Sequence, residues 1–140
     1  MQLNSVMVSN GTFEIPQASD PGFRPVRLQA SGLRGERIME VCEAMIDICA
    51  ALFNVSSKEL RQTGRTSNGV ARVRQIAMYV THVVLGVSMQ EVGRCFGRDR
   101  TTVRHACHLV EDMRDDEDFD LAVVRIERVA LAAFRGRLEV

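Results

Sequence analysis

The chain has 140 residues, of which 46% are hydrophobic and 5% aromatic, and its 18 Lys and Arg balance its 18 Asp and Glu. This length supports one domain with a tail, and the apolar fraction is enough for a core. No apolar run is long enough to span a membrane and no N-terminal stretch reads as a secretion signal, so a soluble, cytoplasmic protein with no membrane partner is expected.

The neutral total hides a division. Residues 58–110 carry nine Lys/Arg against three acids, a net of +6, whereas residues 111–127 carry eight acids against two Arg, a net of −6. One patch is suited to a polyanion and another is not. Helix formers and Met are plentiful and Trp is absent, which favours an all-α fold over a sheet. Cys42, Cys49, Cys95 and Cys107 show no CxxC spacing and sit among apolar neighbours, so they read as reduced core thiols. A zinc site from Cys107 with His105 or His108 lacks further ligands at suitable spacing.

Residues 1–34 contain Pro16, Pro21 and Pro25 with scattered Gly and Ser and no sustained period, which predicts a flexible extension. Arg24, Arg27, Arg34 and Arg37 read as solvated linker charges rather than phosphate contacts. The predicted domain covers 35–138. It opens with an amphipathic helix, where Ile38, Val41, Cys42, Met45, Ile48, Cys49, Leu52 and Phe53 recur at helical spacing up to Asn54. Ser56 or Ser57 caps a brief turn through Leu60.

Residues 61–69, RQTGRTSNG, form a polar loop that suits either solvent or close approach to a phosphate backbone. Helical period returns over 70–85, with Val73, Ile76, Ala77, Val80 and Val84 on one face. Arg72 and Arg74 near its start oppose the helix dipole, and a phosphate bound there would offset that cost. His82 reads as a partly buried residue without a role.

Residues 88–113 read as two helices joined by a tight turn. Ser88 caps the first, Glu91 follows at capping-box spacing, and Gly97 stops it after Met89, Val92 and Phe96. Asp99 or Thr101 caps the second, whose core side is Val103, Ala106, Cys107, Val110 and Met113. Its other side carries Thr101, Arg104, His105 and His108. Helix, glycine turn and helix with a basic, hydrogen-bonding face is the pattern of a DNA-binding helix-turn-helix. The acidic run RDDEDFD follows and is expected to point away from DNA. A last helix over about 118–134 presents Phe119, Val123, Ile126, Ala130 and Ala133 as one stripe.

These residues resemble the C-terminal DNA-binding domain of the bacterial replication initiator DnaA family. The resemblance rests on Arg74, Gln75, Ile76, Ala77, Met78 and Tyr79, then on Ser88, Val92, Gly93, Phe96, Gly97, Arg98, Asp99, Thr101, Thr102, Val103, His105 and Ala106, and it covers about residues 36–130. It implies an all-α helical bundle with an embedded helix-turn-helix, of the TrpR-like type, that reads origin boxes in duplex DNA. By position it assigns base contacts to Arg98, Asp99, Thr101, Thr102 and His105, with Arg100 standing where the family usually has His. Arginine suits guanine O6 and N7, aspartate suits cytosine N4, and a threonine methyl suits the thymine methyl. The same resemblance places Arg72 and Arg74 on the DNA backbone.

Phosphate contacts are therefore expected from Arg61, Arg65, Asn68, Arg72, Arg74, Arg94 and Arg104. Asn68 or Arg65 would take the place of the arginine that the family inserts into the minor groove. Other departures are one glycine fewer before Arg98 and a loop one residue longer. The sequence contains no GxxxxGK[ST] stretch, so a free-standing relative without the ATPase module is expected.

The resulting reading is a non-enzymatic, sequence-specific binder of double-stranded DNA, associated with the nucleoid and acting in replication initiation or transcription, with no cofactor and no metal. Full-length DnaA or other replication proteins are further expected partners. The alternative is a protein-interaction module of the same fold that modulates a full-length initiator through the acidic run and the last helix. An enzyme is not expected, because His105 and His108 have no paired carboxylate or nucleophile.

Overall fold

A computed structural model describes residues 35–138, and the expected extension over 1–34 lies outside the described residues. The described residues form six α-helices: α1 Gly35–Phe53, α2 Ser57–Arg61, α3 Asn68–Val83, α4 Met89–Phe96, α5 Arg100–Met113 and α6 Glu117–Leu138. The fold is all-α, with α4 and α5 as the helix-turn-helix.

The helix ends follow from local chemistry. Ser56 Oγ accepts from the Glu59 amide, Ser67 Oγ from Val70, Ser88 Oγ from Glu91 and Asp99 Oδ1 from Thr102, so each helix from α2 to α5 begins on a side-chain cap. Asp116 Oδ2 accepts from the Phe119 amide at the start of α6, which puts part of the acidic run to work as a cap. Asn54 takes a left-handed φ of 54° after α1, and Gly97 takes 66° after α4.

Helix α3 is the central element and packs against each of the other five. That position explains why its predicted one-sided stripe is too narrow. Arg74, Met78, Tyr79 and Thr81 are buried along with Val73, Ile76, Ala77 and Val80, because neighbours cover the helix on almost all sides. Thr81 satisfies its hydroxyl on the Ala77 carbonyl at 2.6 Å. His82 is half-buried and its Nδ1 lies 2.7 Å from the Val87 carbonyl oxygen.

Two other stripes are shifted by their neighbours. On α1, Ile46 is fully buried, while Leu52, expected inside, is 50% exposed. On α6, Val123, Val124, Ile126, Ala130 and Phe134 face the core, while Ala133 is exposed and Phe119 only half-buried.

A polar cluster joins α3, α5 and α6. Arg114 donates from Nε to Asp120 at 2.5 Å and from Nη1 to the Tyr79 hydroxyl at 3.1 Å, and its Nη2 lies 2.8 Å from Glu127 Oε1. Tyr79 in turn donates to Glu111 at 2.7 Å, and the guanidinium lies 5.8 Å from the Tyr79 ring centroid. Glu127 is fully buried, and burial pushes its carboxyl above the usual range although Arg114 pulls the other way. Removing one partner of such a pair leaves an uncompensated buried charge. Arg114→Leu is therefore expected to lower unfolding free energy by about 3–5 kcal/mol in urea titration. The double variant Arg114→Leu/Glu127→Leu should recover most of that loss.

Candidate nucleic-acid interface

The turn between α4 and α5 is closed by backbone. The amides of Gly97 and Arg98 both donate to the Gly93 carbonyl, the latter at 2.8 Å. A Cβ on Gly93 would lie 2.6 Å from the Arg98 carbonyl oxygen, so only glycine permits this approach. Asp99 then starts α5, and the Thr102 amide that it accepts holds its carboxyl below the ordinary carboxylate range.

The face of α5 opposite the core is exposed at Arg100, Thr101, Arg104, His105 and His108, while Val103, Ala106, Cys107 and Val110 are buried. Thr102 is also exposed and, with Arg74, Gln75, Arg98 and His105, lines a shallow cleft between α3 and α5. Beside this face lies the α2–α3 loop, residues 62–67, with Arg65 exposed on it and Asn68 exposed at the first position of α3. Arg94 is exposed on α4.

Several arginines read as DNA contacts are spent inside the protein. Arg74 is buried, and its guanidinium donates to the Leu60 carbonyl at 2.9 Å, the Glu59 carbonyl at 2.8 Å and Thr66 Oγ1 at 3.3 Å. It caps the carbonyl end of the five-residue α2, where orphan acceptors and the dipole both favour a cation. The expected phosphate at the start of α3 is therefore not what offsets its charge there. Arg61 is half-buried and paired with Glu43 and Asp47 of α1, carboxylates that compete with any phosphate for it.

Arg98, assigned to a base, donates instead to the Phe96 carbonyl at 2.9 Å and the Gln62 carbonyl at 2.8 Å, tying the turn to the loop. Asp99, also assigned to a base, has one oxygen committed as the α5 cap. Arg72 is half-buried and donates to Gln75 Oε1 at 2.8 Å.

Sequence reasoning missed Thr66 and Gln75. Thr66 hides in a polar loop where every side chain looks solvated. Gln75 follows Arg72 by three positions, a helical spacing that could have flagged the pair.

Residues 42–110 match the family model described as the bacterial dnaA protein helix-turn-helix. This segment is a DnaA-type helix-turn-helix. The chromosomal replication initiator protein DnaA of Mesorhizobium japonicum is 42% identical over 72 residues, covering 51% of this chain and 14% of that protein. DnaA of Rhodopseudomonas palustris is 45% identical over 67 residues, covering 47% and 14%, and DnaA of Bartonella quintana is 40% identical over 82 residues, covering 58% and 16%. The similarity thus spans about half of this chain and about one seventh of each relative. The match takes in most of α1, all of α2, α3 and α4, the loop that Arg74 holds, and α5 as far as Val110. No helix among the described residues is long and apolar enough to cross a membrane.

Two outcomes follow from the tight contacts. Gly93→Ala is expected to cost about 1–3 kcal/mol of stability through the overpacked turn, read as a lower denaturation midpoint. Arg74→Ala should cost a similar amount, about 1.5–3 kcal/mol, because three acceptors lose a charged donor, and amide exchange in residues 62–67 should accelerate.

Proposed function

We propose that this domain binds double-stranded DNA, with no catalytic step, by laying α5 in the major groove and the 62–67 loop along the neighbouring backbone. The observation that carries this reading is the exposed face of α5, where Arg100, Thr101, Arg104, His105 and His108 stand outward next to a helix-turn-helix scaffold. Arg100 and Thr101 lie in the first turn of α5, where residues of a recognition helix meet base edges. Arg100 can grip guanine through O6 and N7, and Thr101 and Thr102 offer hydroxyls to phosphate and methyls to thymine. His105 lies one turn further on the same side.

Arg65, Arg94 and Arg104 are exposed cations suited to phosphates, and Asn68 with Arg65 suits the adjacent minor groove. Arg72 adds charge on α3, where it is bonded to Gln75 at the cleft between α3 and α5. Arg98 and Arg74 act as positioning residues that hold loop and recognition helix at one spacing, in place of the DNA contacts expected of them. Relatives named as replication initiators support a role in replication initiation at specific duplex sites.

The far end of α5 carries Glu111 and Asp112, some seven to eight residues beyond Arg104. At about 1.5 Å rise per residue that separation is roughly 10–12 Å, beyond a Debye length of about 8 Å at physiological salt. The acids therefore weaken the basic end little while repelling phosphates at the other.

Titrating the chain with duplex selected from a random pool tests the proposal. With about four to five phosphate contacts, the log–log salt slope is expected near −4, and Arg104→Ala should reduce its magnitude by about 0.9. Arg100→His should change the selected base with about 1–3 kcal/mol of discrimination. Arg98→Ala should weaken all duplexes alike. Absence of duplex binding at low salt would reject the proposal in favour of a protein-interaction module.

A further inference from the structure

The four cysteines fall into two kinds. Cys49 and Cys107 are buried core thiols, and burial pushes them up to about 12 and about 11. Cys42 on α1 and Cys95 on α4 instead lie near each other across the seam between these helices, each the largest single influence on the other's titration. Cys95, when protonated, donates to Met39 Sδ at 3.3 Å. Met39 precedes Cys42 by three residues on α1 and so lies on the same side of that helix. The three sulfurs form a row graded in access. Met39 is 40% exposed, Cys95 is half-buried and Cys42 is 1% exposed.

We propose that Cys42 and Cys95 are a reversible modification site, in which a hydroperoxide oxidises Cys95 and Cys42 resolves the product into a disulfide joining α1 to the first helix of the helix-turn-helix. Cys95 attacks the terminal peroxide oxygen, an S–O bond forms, the O–O bond breaks, and the leaving oxygen departs as water or alcohol. Cys95 is then a sulfenic acid. The Cys42 sulfur attacks the Cys95 sulfur, the S–O bond breaks, and the hydroxide leaves as water with the Cys42 proton. The two thiols have lost two electrons and the peroxide has gained them.

The environment assigns the roles. Cys95 is the accessible sulfur; the neighbouring Cys42 holds its thiol below the ordinary value, burial and the nearby Glu91 and Glu43 work the other way, and Arg94 helps. Cys42 is 1% exposed and its thiol is pushed up, first by Cys95 and then by burial, so a peroxide reaches Cys95 first and Cys42 meets the sulfenic acid only once it has formed. Cys95 is also the more accessible of the two, which suits the attacking position.

The test treats the reduced chain with a small excess of hydrogen peroxide, followed by alkylation and peptide mapping. The expected result is loss of two hydrogens in intact mass, a Cys42–Cys95 linked peptide, full reversal by dithiothreitol, and Cys49 and Cys107 still open to alkylation after unfolding. Oxidised wild type should melt at a higher temperature than reduced wild type, and Cys95→Ser should abolish both the link and the shift. Cys42→Ser should leave Cys95 as a sulfenic acid that dimedone traps. Should that core variant not fold, the wild-type map and Cys95→Ser decide the matter alone. Oxygen added to Cys95 or Met39 with Cys42 still free, or no reaction at all, would overturn the proposal.

Discussion

The guanidinium of Arg74 sits on the carbonyls of Leu60 and Glu59 and on the Thr66 hydroxyl, and that of Arg98 sits on the carbonyl of Gln62. Together they convert a polar, glycine-bearing loop into a fixed piece of the surface. A buried guanidinium needs acceptors, and a short helix ending in the interior needs donors for its last carbonyls. Each group satisfies the other's requirement. Burial, and then the nearby Arg98 guanidinium, act against the charge on Arg74, which makes these acceptors the condition for keeping it inside. Because Arg74 belongs to the central helix and Arg98 to the helix-turn-helix turn, the loop is referenced to both. The exposed Arg65 and Asn68 thus share one rigid frame with Arg100 and Thr101.

The same frame depends on a close backbone approach. Gly93 lets the Arg98 carbonyl lie where any Cβ would collide, and Gly97 supplies the left-handed turn that follows. The Gly97 position also brings the turn near Thr63 of the loop, since a Cβ there would lie 3.1 Å from Thr63 Cγ2. Glycine is needed at both positions for space and dihedral freedom. These close approaches at Gly93 and Gly97 act together with the Arg74 and Arg98 guanidinium groups to fix α5 relative to the loop.

Zero net charge conceals an uneven layout. Cations gather at the start of α5, on α4 and on the loop, while the acids gather at the far end of α5 and the start of α6. Some of those acids have internal work. Asp116 caps α6, and Asp120, Glu111 and Glu127 surround Arg114 and Tyr79 in the cluster that joins three helices. The acidic stretch is thus part of the architecture.

Periodicity and capping chemistry located five of the six helices and read α2 only as a brief turn, while Ser67 and the first residues of α3 were read as loop; caps at Ser56, Ser88 and Asp99 and breaks at Asn54 and Gly97 are local interactions written in adjacent residues. The outward face of α5 was legible for the same reason. Its 3.6-residue period separates Val103, Ala106 and Val110 from Arg104 and His105 without reference to any other helix. The fate of each arginine was not legible. Arg65 and Arg100 are exposed, while Arg61, Arg74 and Arg98 turn to Glu43, Leu60, Glu59, Phe96 and Gln62. A guanidinium's partner is chosen by which acceptors the packed helices bring within hydrogen-bonding reach, and partners such as Glu43 and Gln62 come from other elements. For the same reason only the packing of α1 on α4 brings the Cys42 and Cys95 sulfurs together.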